Sequence, residues 1–84
     1  MRHLRETWVQ NGSRVEAQGD AAEIERLLNN ELQKVSDADG GWRVLYRRGV
    51  GGALWELSYP QGDMHGGGPR LLVELEIADP AEWK

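Results

Sequence analysis

The chain has 84 residues, room for one small domain, and a domain of this size buries only about 60–65% of its unfolded surface around one core. It has no cysteine, which excludes disulfides and thiolate metal sites and makes a reducing cytoplasm its natural compartment. Fourteen acidic against ten basic residues give a formal charge of −4, which argues against nucleic-acid binding; no secretion signal follows the basic start, and no run approaches the ~18–20 apolar residues that cross a bilayer.

Residues 4–17 read as a β-hairpin. Asn11-Gly12 is the preferred pair for a type I′ turn, which sets Gln10 opposite Ser13, Val9 opposite Arg14 and Trp8 opposite Val15. Trp8 and Val15 then form the core face. Gly19-Asp20 opens a helix expected to run to about Val35, with Asp20 and Glu23 in capping-box positions. Ile24, Leu27, Leu28, Leu32 and Val35 make its apolar stripe, and residues 36–41 break it. Three strands follow: Trp42 to Arg48, then Ala53 to Tyr59 after a glycine turn, then Arg70 to Ile77 with Leu71, Val73, Leu75 and Ile77 facing in. Residues 79–84 form a short terminal turn in which Trp83 caps the core. The order β-β-α-β-β-β predicts an α+β fold, an antiparallel sheet of about five strands with one amphipathic helix across one face, and a single domain over residues 1–84.

Between the last two strands lies Ser58 to Pro69, which packs four of the eleven glycines and two of the three prolines into twelve residues. Such a segment needs special backbone geometry, because Gly reaches φ > 0 freely and Pro fixes φ and lacks a donor. Gly66-Gly67-Gly68 is a poor phosphate loop: Pro69 and a strand follow it, and no Lys is near. Asp63 and His65, with Ser58 upstream, are the nearest approach to a hydrolytic centre, but their spacing is no better than chance, and a histidine tying down loop carbonyls is the simpler reading. Asp37 and Asp39 lie in another loop and lack the later glutamate of a calcium site, so neither a metal nor a cofactor is expected. Glu56, Glu74 and Glu76 on adjacent strands suggest an acidic stripe beside Arg43, Arg47 and Arg48. Cross-strand ion pairing explains these charges most simply, and a recognition surface is the alternative.

Gly41-Trp42, Leu45-Tyr46-Arg47, Trp55-Glu56-Leu57-Ser58-Tyr59-Pro60-Gln61 and Met64-His65-Gly66-Gly67-Gly68-Pro69 together resemble the immunity protein 27 family of bacterial polymorphic toxin systems. The resemblance spans roughly Ala21 to Leu72. Its two long motifs are specific in combination and weak apart. The chain departs from the family pattern at Arg48-Gly49-Val50-Gly51-Gly52, where an Asp-Pro-like turn is common, and at Arg70. The resemblance implies a cytoplasmic binding protein that neutralises a cognate toxin by non-covalent occlusion, with no catalytic residues to carry over. A basic nuclease fits the acidic balance of the chain. The residues expected to meet the toxin are Arg43, Arg47, Glu56, Asp63, Met64, His65, Glu74 and Glu76. The competing reading is a small hydrolase or nucleotide-binding enzyme centred on Asp63 and His65. A third is a homodimer joined through a sheet edge, although a monomer is favoured.

Overall fold

The computed structural model describes residues 2–60 and 68–83. Strands β1 (His3–Asn11) and β2 (Arg14–Gly19) form the N-terminal hairpin, helix α1 (Ala21–Asn30) follows, and β3 (Leu32–Ala38), β4 (Arg43–Arg48), β5 (Leu54–Ser58) and β6 (Leu71–Glu74) complete one antiparallel sheet in the order β2-β1-β6-β5-β4-β3. The α+β class is as expected. The sheet has six strands because β3 occupies a stretch that helical spacing had assigned to the helix and its breaker.

The hairpin turns one residue later than Asn-Gly chemistry predicts. Asn11 pairs with Arg14, Gln10 with Val15 and Trp8 with Ala17, which leaves Gly12-Ser13 as the loop. Gly12 has φ +65° while Ser13 is not in the positive-φ region. That is the sign pattern of a type II′ turn, which wants Gly at its first central position. Trp8 and Val15 still share a face, but Val15 is 60% exposed and does not belong to the core.

Helix α1 ends at Asn30, five residues short of Val35. Ile24 and Leu27 are fully buried, as the stripe predicts. Asn29 and Asn30 are weak helix formers, and the cross-strand pairing of Leu32 with Arg48 recruits the next residues into the sheet. Leu32 is buried there as a strand residue, while Val35 sits at a bulge between Lys34 and Ser36 and is 41% exposed. The capping box does not form. The Asp20 carboxylate accepts from the Arg5 backbone N–H at 3.0 Å, and Glu23 pairs with Arg2 and Arg26. The helix start is thereby tied to the sheet.

Directly opposed residues share a face, so the ladder defines both sides of the sheet. Leu4, Leu72, Leu57, Trp55, Val44 and Leu32 lie toward the helix and pack with Ile24 and Leu27. The other face carries Leu45 and Leu54, both essentially inaccessible. The chain after β6 returns across it and brings Trp83 over Arg43 and Glu56. This second cover corrects the expected phase of β6: Leu72 is the fully buried residue on the helix side, and Leu71 and Val73 face the other way. A sheet covered on both sides makes alternation ambiguous. The Trp55 indole N–H, buried in the core, has no acceptor among the described residues, against the expectation that each buried Trp finds one.

Gly19 closes the hairpin onto the helix at φ +68°, and a Cβ there would lie 2.8 Å from the Arg5 carbonyl oxygen. Gly12 has a similar φ with nothing within 4 Å. Gly19→Ala is expected to cost about 2–3 kcal/mol and Gly12→Ala about 1 kcal/mol, read as the difference between their urea midpoints. Equal losses would show that the approach to Arg5 is not the constraint.

Candidate partner-binding surface

The outer face of the sheet carries Arg43 on β4 and Glu56 on β5. The Arg43 guanidinium meets Glu56 at 3.0 Å and Asp39 at 3.6 Å, and stands 5.1 Å over the Trp83 ring. Trp83 Nε1 donates to the same Glu56 oxygen at 2.7 Å. These groups form a cross-strand pair locked by an aromatic cover. The Glu56 hydrogen bond is the main influence holding the Arg43 pKa above its ordinary value. Arg47, opposite Leu54, is exposed and has no ion pair among the described residues.

Glu74 does not join Glu56. It lies opposite Trp55 on the helix-side face and accepts from the Arg2 backbone N–H at 3.3 Å. Since Glu56 opposes Val73 on the other side, the expected acidic stripe does not form, and Glu76 is an exposed acid beyond the end of β6. Asp63, Met64 and His65 lie outside the described residues, as does the hydrolase reading built on Asp63 and His65. Among the described residues no group of three or more His, Asp or Glu side chains converges as a metal site would require.

A second charged cluster joins the helix to the sheet. Glu23 accepts from Arg26 and Arg2, and these hydrogen bonds hold its carboxyl down at about 2. Glu31, the single residue between α1 and β3, pairs with both Arg26 and Arg48. Hydrogen bonds from those two guanidinium groups hold its pKa below the usual carboxylate range.

The pair that sequence reasoning missed is Glu6 with Arg70. Glu6 sits on β1 between Leu4 and Trp8, in the apolar phase of the strand, and is only 4% exposed. Arg70 reaches it from the turn before β6 with Nη2 at 2.9 Å and Nε at 3.3 Å, and the Arg70 backbone N–H adds a third bond at 3.0 Å. Trp8 Nε1 donates to the same carboxylate at 3.2 Å, and the remaining Arg70 nitrogen meets Glu25 on the helix at 2.6 Å. Burial pushes the Glu6 carboxyl up, but the Arg70 hydrogen bonds and charge outweigh it and leave the pKa below its ordinary 4.5. The signal was available: a charge at an inward position of an alternating strand requires a buried partner.

Above this pair opens a groove of about 440 Å³ walled by Trp8, Val15, Ala17 and Tyr59, with Glu6 and Arg70 beneath. The Tyr59 ring meets the half-exposed Trp42 edge-to-face at 5.5 Å and 82°. Aromatic surface therefore continues from the hairpin to the start of β4.

The described residues thus form an α+β sheet protein whose one buried carboxylate is paired with Arg70 beneath a groove lined by aromatic side chains. The Immunity protein 27 family model matches residues 10–76, and the chain belongs to that family. No curated protein and no solved structure matches it.

Removing one member of a buried ion pair strands the other. Arg70→Met is expected to cost about 3 kcal/mol, and adding Glu6→Gln should recover part of it in a double-mutant cycle of denaturant melts. Because the folded Glu6 pKa lies below 4.5, its contribution is complete above that pH and is lost as pH falls through the folded value. Wild-type stability should therefore fall below about pH 4.5 more steeply than that of Glu6→Gln, as urea melts across the acid range would show.

Proposed function

We propose that this chain neutralises a cognate toxin in the cytoplasm by binding it non-covalently and covering the surface the toxin acts with. The family match over residues 10–76 carries the reading. On this reading the chain is a binding protein that works as one domain over residues 1–84, without catalysis. The toxin is proposed to be a basic nuclease, because a net charge of −4 favours association with a positively charged partner.

The principal contact surface we assign is the Trp8–Tyr59 groove on the helix side of the sheet, and the exposed Arg47, which lies on the opposite face beside Leu54, is assigned with Glu76 to a second contact. Asp63, Met64 and His65 belong to it on sequence grounds. Arg43, Glu56 and Glu74 are assigned to it through their backbone neighbourhood, since their side chains already have partners within the chain. Trp and Tyr are favoured anchors in such surfaces because a large rigid ring buries much area at small entropic cost.

Co-expression with the toxin encoded in the adjoining gene is expected to protect cells and to give an equimolar complex on size exclusion. Tyr59→Ala and Trp8→Ala should each weaken that complex by about 2 kcal/mol or more in calorimetry, on variants that circular dichroism shows to remain folded. Unprotected cells and no complex would reject the reading. Protection with both variants binding normally would move the surface elsewhere.

A further inference from the structure

The two edges of the sheet are built differently. Edge strand β3 carries a bulge between Lys34 and Ser36 and a Lys34–Asp37 ion pair at 2.9 Å across it, both devices that block pairing with another strand. Edge strand β2 has neither. Its register with β1 runs unbroken from Arg14 to Gly19, it holds no Pro or Lys, and all but Glu16 of its residues are exposed.

The ladder fixes which backbone groups of β2 point outward. Asp20 N–H donates to the Arg5 carbonyl at 3.0 Å, and Asn11 opposes Arg14 across the two-residue loop. In an antiparallel pair, hydrogen-bonded positions alternate with open ones. The even residues of β2 therefore bond β1, and the N–H and C=O of Val15 and Ala17 point away from it.

We propose that this edge binds the same edge of a second copy, about a twofold axis through Val15. Outward groups restrict the antiparallel registers to a few. Centring on Glu16 sets two like charges face to face. Centring on Val15 lets the two Val15 residues exchange both backbone bonds and places Arg14 opposite the partner copy's Glu16, twice by symmetry. On one face the exposed valines meet, and on the other the reciprocal ion pairs form. The contact is small, below about 1,200 Å², so the dimer is weak and depends on concentration. The inference does not rest on toxin binding.

Sedimentation equilibrium of the purified full chain through the micromolar to millimolar range tests it. Wild type is expected to self-associate to a dimer, with Arg14→Glu weakening association about tenfold or more and the Arg14→Glu/Glu16→Arg swap restoring it. Val15→Pro removes an outward donor without touching a bond to β1, and should keep the melting temperature while abolishing the dimer. A wild type monomeric throughout, a swap that fails to restore association, or a Val15→Pro chain that dimerises as before would each overturn the proposal.

Discussion

A carboxylate has been taken out of water at the seam between β1 and β6, and the chain tolerates this only because Arg70 meets it with side chain and backbone together. The pair joins positions 64 residues apart, and the remaining Arg70 nitrogen reaches Glu25 on the helix. One guanidinium thus sets the N-terminal strand, the last strand and the helix in a common frame. The same residue holds the floor of the Trp8–Tyr59 groove, so the aromatic surface depends on the ion pair for its shape. An apolar replacement of both partners could match it in stability, but would not orient the turn before β6 through three directed bonds.

The accessible charges follow a related logic. Arg43 is engaged with Asp39, Glu56 and Trp83, and Arg2, Glu23, Arg26, Glu31 and Arg48 form a second network. Exposed pairs of this kind contribute little to stability. Their consequence for recognition is that a partner approaching these faces finds charges already compensated, whereas Arg47 and Glu76 meet it unpaired among the described residues.

Much of the architecture was readable from residue order. The hairpin, the start of the helix, the glycine turn at 49–52 and three later strands follow from alternation, Gly placement and the Ile24–Leu27 stripe. Where the reading failed, two physical effects competed. Leu32 and Val35 fit a 3.6-residue period by coincidence, and pairing with β4 overrode it. Leu71 and Val73 alternate properly, yet they face Trp83's side because both faces of the sheet are covered. Of the candidate surface, Trp8 stood out in the hairpin and Trp42 and Tyr59 in the family motifs, whereas the partner of Glu6 was hidden by the 64-residue separation of Arg70 along the chain.

The strand order has a kinetic meaning. β1 pairs with its sequence neighbour β2, and β3, β4, β5 and β6 pair each with the next in the chain, so β1 against β6 is the one long-range seam of the sheet. Until that seam closes, β1 and β6 present raw backbone edges with Leu4 and Leu72 uncovered, an arrangement prone to misassembly. The Glu6–Arg70 ion pair spans this seam and is positioned to act as its latch.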